Sequence, residues 1–210
     1  MFDHVLRRGK DQLLAPLVRA VGSKLHPNHI SVAAAVVGVA AAVALANGAY
    51  RPAATLWVVN RIVDGLDGAV ARSTGQTSEF GGYLDLMLDV AVYSAIPIGF
   101  ALHRPESVVL FAVILLLAAC YLNITSWLYL SVLLERHREP AAADGAGGRL
   151  TSIAMPRGLV EGAETIVAYL LLILLPNHAV AILLVTASLI LVGAVQRVIW
   201  AVGRFSGEGS

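Results

Sequence analysis

The chain has 210 residues, of which 58% are hydrophobic and 14% charged, with a formal net charge of +1 and a mean hydropathy of +0.75. A soluble domain with a wetted surface does not reach such values, so the composition points to an integral membrane protein of one domain, residues 1–210. The basic residues are spread by topology rather than gathered in a patch, which argues against nucleic acid as a partner, and the lone Cys120 excludes a disulfide framework and a cysteine-based metal site.

Residues 1–25 alternate apolar and basic positions in a helical rhythm, with Phe2, Val5 and Leu6 followed by Leu13, Leu14, Leu17 and Val18. This predicts an amphipathic helix lying on the membrane surface. It does not read as a signal peptide, because no long apolar stretch follows the early basic residues. His26-Pro27-Asn28-His29-Ile30-Ser31 breaks that helix and starts the first span.

Six apolar runs then have the roughly 20-residue length that crosses a hydrocarbon core. They run from about His29 to Tyr50, Ala53 to Ser73, Phe80 to Leu102, Val108 to Leu133, Leu159 to Leu175 and Ala179 to Val202. The second and third carry aspartates and score poorly on hydropathy, but keeping both lets the charged loops alternate consistently. The segment from Glu135 to Gly148, rich in Ala, Gly and charge, is the sizeable flexible loop. The expected fold is therefore all-α, with a six-helix transmembrane bundle over residues 29–202.

Arg7, Arg8, Lys10, Arg19 and Lys24 precede the first span, and Arg72 ends the second. Arg136, Arg138, Arg149 and Arg157 lie between the fourth and fifth, and Arg204 follows the sixth, against Arg51 and Arg104 on the other side. The positive-inside tendency then puts both termini in the cytoplasm of a multi-pass plasma-membrane protein. The aspartates of the second and third spans fall in the cytoplasmic half, within reach of a water-soluble substrate.

Those aspartates are the main clue. An ionised Asp near the middle of a span costs roughly 2.5 to 3.5 kcal/mol, so four cost on the order of 10 kcal/mol before any partner is supplied. One arginine, Arg72, is counted beside them, which makes multivalent cations the natural compensation. On a helix, Asp64, Asp67, Gly68, Ala71 and Arg72 share one face, because their offsets of 3, 4, 7 and 8 belong to a single stripe. Gly81, Asp85 and Asp89, each one turn from the next, align the same way on the following helix.

Four carboxylates converging from two helices can hold two hard divalent ions and leave positions open for phosphate oxygens. Gly68, Ala71 and Gly81 leave room for a bulky ligand or serve helix packing. Arg72 supplies a fork for a phosphate, or flanks the span on its cytoplasmic side. The chemistry suggested is metal-assisted attack on a phosphate, with a spare carboxylate as base.

The order Asp64, Asp67-Gly68, Ala71-Arg72, Gly81, Asp85, Asp89 resembles the signature of the CDP-alcohol phosphotransferases, D-x2-D-G-x2-A-R-x8-G-x3-D-x3-D, at all eight specified positions across 26 residues. The resemblance implies that Asp64, Asp67, Asp85 and Asp89 bind two divalent ions, Mg2+ or Mn2+. It implies that Asp89 is also the catalytic base, and that Gly68, Ala71, Arg72 and Gly81 line the cytidine nucleotide site. Pro27-Asn28 is similar to a Pro-Asn pair in many members, so Asn28 either touches the nucleotide or simply starts a helix. The implied reaction moves a phosphatidyl group from CDP-diacylglycerol to a small hydroxylated acceptor and releases CMP. The implied assembly is a homodimer in the lipid bilayer.

Two other functions compete. Within the family, a CDP-linked headgroup can instead pass from another CDP-alcohol to diacylglycerol; outside the enzyme class, intramembrane carboxylates can build a divalent-cation transporter. The acceptor is less constrained. Arg157, Glu161 and Glu164 share a helix face at the start of the fifth span, and Arg197 lies near the end of the sixth. Family members that use inositol phosphate or glycerol phosphate place basic residues around this region, a role open to Arg149, Arg157 and Arg197. The alternative is an ion pair plus snorkelling interfacial charges, and the acidic Glu161 and Glu164 weigh against an anionic acceptor.

Overall fold

A computed structural model of the chain describes residues 25–136 and 162–206, together with Pro16 and Val18. The rest of the expected surface helix lies outside the described residues. So do residues 137–161, which include nearly all of the loop from Glu135 to Gly148, and Arg149, Arg157 and Glu161. The described elements are all helical: α1 (Pro27–Ala46), α2 (Tyr50–Thr74), α3 (Glu79–His103), α4 (Ser107–Arg136), α5 (Gly162–Leu174), a 3-10 turn (Pro176–His178) and α6 (Ala179–Phe205).

The helix ends follow from local chemistry. Pro27 opens α1, where its missing N–H is not needed, and the His26 ring accepts from the Asn28 N–H at 3.3 Å. Gly48, at φ +72°, takes the left-handed turn that separates α1 from α2, and Gly75, at φ +68°, ends α2. Ser78 caps α3 by accepting the Gly81 N–H at 3.0 Å.

Four stretches are long and apolar enough to cross a membrane: α1, α3, α4 and Pro176–Phe205. The chain is therefore a multi-pass membrane protein. At 25 residues, α2 is about 37 Å long at 1.5 Å per residue, but its ionisable side chains keep it out of that apolar set. The described part of α5 has only 13 residues. Large apolar side chains are exposed along α1 (Val36, Val43), α4 (Phe111, Ile114) and α6 (Val195, Ile199). Such faces suit hydrocarbon rather than water.

The chain divides into two compact units, residues 1–106 with 169–176, and residues 107–168 with 177–210. In the first, α1 packs closely on both α2 and α3, around buried Leu45, Trp57, Val92, Ile96 and Phe100. Small residues permit that approach: a Cβ at Gly99 would run into the Ala42 carbonyl, and one at Gly38 would meet Val92 and Asn60. Between α2 and α3 the Trp57 ring meets the Tyr93 ring, and Arg61 meets Asp89. Val18 packs on Ile30, Leu66 and Val70. In the second unit α4 packs on α6, burying Ala112, Leu116 and Ala119 along with Leu183, Ala187 and Ile190.

Gly99 gives a test of this packing. Its obstacle is backbone, which cannot swing aside, so Gly99→Ala is expected to destabilise the protein by about 1–3 kcal/mol. Gly203→Ala, where nothing lies within 4 Å, should be neutral or slightly stabilising. Thermal unfolding midpoints in detergent check the pair, and equal midpoints would contradict the close α1–α3 contact.

Candidate functional site

Because α1, α2 and α3 run up, down and up, the start of α1, the end of α2 and the start of α3 lie at one end of their unit. Each carries residues of the signature or of the expected nucleotide site. Asp64, Asp85 and Asp89 converge, each offering a carboxylate oxygen within 4.8 Å of the others. All three are half-buried. Three acidic groups this close repel one another strongly in a medium less polar than water, so the arrangement calls for positive charge.

Asp67 is not in that trio. Its side chain is buried, at 6% exposure, and one oxygen accepts a 2.5 Å hydrogen bond from the Ser31 hydroxyl of α1. The other oxygen accepts from the Gly68 backbone N–H. Four of the expected ligands are thus arranged as three converging carboxylates and one that α1 holds in place.

The residues expected at the nucleotide site pair off. The Arg72 guanidinium lies over Gly68, where an added Cβ would come 3.1 Å from Nη1. Asn28 and Gly81 also adjoin, with Asn28 Oδ1 3.2 Å from the Cβ position of Gly81. A side chain at either glycine would crowd Arg72 or Asn28. Ala71 is half-buried on the same stretch of α2.

Sequence reading overlooked one residue. Arg72 is not the sole arginine beside the aspartates, because Arg61 reaches the trio from one turn earlier on α2. Its Nη1 donates to Asp89 Oδ1 at 3.0 Å and lies 3.6 Å from Asp64 Oδ2, with its side chain 9% exposed. The guanidinium carbon sits 4.8 Å from the centroids of both the Trp57 and Tyr93 rings, and those rings pack against Tyr169. The available signal was the offset of 3 from Asp64, which puts both residues on one stripe. A charge tally of the loops passes over an arginine in mid-helix.

Of the expected acceptor residues, Glu164 is exposed in the first turn of α5. Arg197 is 5% exposed and donates to the Asn123 carbonyl at 3.2 Å and its Oδ1 at 2.7 Å, tying α6 to α4. It is a buried residue rather than a snorkelling interfacial one.

The family described as CDP-alcohol phosphatidyltransferase matches residues 24–202. The inner membrane protein YnjF of Escherichia coli (strain K12) is 34% identical over 177 residues, 84% of this chain and 83% of that protein. An archaetidylinositol phosphate synthase of Pyrococcus horikoshii is 44% identical over 50 residues, 24% of this chain and 27% of its own length. Among solved structures, the phosphatidylinositol phosphate synthase of Mycobacterium tuberculosis with CDP-DAG bound is similar at TM-score 0.65 and 21% identity, covering 91% of this chain and 92% of that one. The same synthase in complex with manganese and citrate is similar at TM-score 0.63 and 21% identity, covering 87% and 86%. At that identity the likeness speaks for the fold.

Proposed function

The chain belongs to the CDP-alcohol phosphatidyltransferase family, and so is a phosphotransferase of phospholipid synthesis; from that premise we propose that it moves a phosphatidyl group from CDP-diacylglycerol to a small hydroxylated acceptor, releasing CMP. The observation that carries this reading is the convergence of Asp64, Asp85 and Asp89 between α2 and α3. Family membership also sets the enzyme reading above that of a cation transporter.

The donor set consists of carboxylate oxygens, which suits hard divalent cations such as Mg2+ or Mn2+ and not soft ones. Asp64, Asp85 and Asp89 would hold two such ions together with Asp67, whose Ser31 hydrogen bond is the kind of support that orients a ligating carboxylate. When bound, the ions neutralise the charge of the phosphates and of the departing CMP. The manganese-bound synthase of similar fold supports this assignment.

The remaining chemistry belongs to the chain. Asp89 takes the proton from the acceptor hydroxyl. The alcohol oxygen then forms a bond to the phosphorus next to the lipid, and the bond from that phosphorus to the bridging oxygen breaks, with the electron pair leaving on CMP. Arg72 offers its fork to phosphate oxygens, and Gly68, Ala71, Gly81 and Asn28 leave space for the cytidine. The CDP-DAG complex of the similar synthase supports this donor.

The acceptor is an inositol phosphate or glycerol phosphate in this reading; the names of two relatives support the first, basic Arg149, Arg157 and Arg197 are the candidates to receive its phosphate, and acidic Glu161 and Glu164 weigh against it. We read six spans: α2 is long enough to cross, its polar face turned to the site, and α5 is preceded by further apolar residues. Both termini and the site then face the cytoplasm, on the plasma membrane, as the loop charges and an inner-membrane relative support. The family match runs through both compact units, which supports one domain, and the resemblance suggests a homodimer. The test is whether purified protein given CDP-diacylglycerol releases CMP only when an acceptor is added.

A further inference from the structure

Arg61 lies outside the eight signature positions, yet its planar group has both polar and aromatic partners. Nε donates to Asn60 Oδ1 at 2.7 Å, and the Asn60 amide in turn donates to the Ala34 carbonyl of α1 at 2.7 Å. The Trp57 and Tyr93 rings, edge to face with each other, adjoin the guanidinium, and Nη1 reaches Asp89 and Asp64. A lysine could supply the charge there, but not the fork or the stacking. The two interactions act differently: at 3.0 Å Arg61 makes a hydrogen bond to Asp89, whereas at 3.6 Å it is only an ion pair to Asp64.

We propose that Arg61 is a positioning residue for Asp89. It fixes the carboxylate through Oδ1 and leaves Oδ2 to take the acceptor proton, while anchoring that geometry to α1 through Asn60 and to α3 through the Tyr93 ring. This rests on the phosphatidyl-transfer reading above and adds to it a residue that touches neither substrate. A buried charge retained only for packing would be expendable to catalysis; one that orients a base controls turnover and leaves substrate binding alone.

The experiment compares wild type, Arg61→Gln and Arg61→Lys as purified full-length protein, measuring kcat and KM for CDP-diacylglycerol, and Kd for CDP by calorimetry. Arg61→Gln is expected to lower kcat by about 10- to 100-fold with KM and the CDP Kd within about 2-fold of wild type, and Arg61→Lys to recover part of the loss. Wild-type kcat in Arg61→Gln overturns the proposal, as does equal loss in both variants accompanied by loss of CDP binding, which marks a structural role. If the Gln variant does not fold, the Lys variant decides: reduced kcat at unchanged KM supports positioning, and wild-type kcat refutes it. A wild-type protein that binds CDP but releases no CMP refutes the underlying reading, and this inference with it; an active wild type beside an equally active Arg61→Gln refutes the role of Arg61 alone.

Discussion

Replacing Asp89 with Asn is expected to reduce CMP release by roughly 100- to 10,000-fold, the range that general-base removal spans. The substitution is nearly isosteric, and the amide oxygen can still accept from Arg61 Nη1, now 3.0 Å from Asp89 Oδ1. Folding should therefore survive while the proton acceptor is lost. The nucleotide contacts proposed at Gly68, Arg72, Gly81 and Asn28 lie elsewhere on the site, so CDP should bind with an affinity within about tenfold of wild type. Steady-state rates and CDP calorimetry on the same preparation check both halves. Near-normal turnover in Asp89→Asn would remove Asp89 from the role of base.

The second large effect concerns divalent cations. Three carboxylates whose oxygens lie within 4.8 Å of one another, with one neighbouring arginine pairing to two of them, retain excess negative charge. Chelation is expected to bring CMP release to background, and Mn2+ or Mg2+ to restore it. The same ions should raise the thermal midpoint, since a ligand at 100 times its Kd that binds only the folded state stabilises it by about 2.7 kcal/mol. In Asp64→Asn that stabilisation should shrink. Full turnover in excess chelator, or a midpoint indifferent to either ion, would contradict the metal assignment.

The signature made much of the site readable from sequence, because a helix converts spacing into direction. Offsets of 3 and 4 put Asp64 and Asp67 on one stripe and Asp85 and Asp89 on another, and three of these four carboxylates do meet. The two aspartate-bearing runs score poorly on hydropathy and are kept because the charged loops then alternate consistently; both form helices, and α3 is long and apolar enough to cross a membrane. Pattern could not supply the contacts made from α1. Ser31 lies 36 residues from Asp67, and Asn60 lies 26 residues from Ala34; neither pairing leaves a periodic trace.

Arg61 was missed for a different reason. Loop charges report topology, and an arginine in mid-helix belongs to no loop. Its aromatic walls come from Trp57 on its own helix and Tyr93 on α3, and Tyr169 completes the cluster from α5. Only a fold brings those rings together. The burial of Arg197 against Asn123 was equally invisible, because the same arginine near a span end fits an interfacial role.

The most direct measurement is CMP release by the purified protein with Mn2+ or Mg2+ and CDP-diacylglycerol, across glycerol phosphate, inositol phosphate, inositol and serine, with a CDP-linked headgroup plus diacylglycerol as a further arm. Release that depends on one of the first four acceptors is the predicted result and names the product. Release only in the diacylglycerol arm would contradict the account by reversing the donor, and nucleotide binding without release in any arm would contradict phosphatidyl transfer itself.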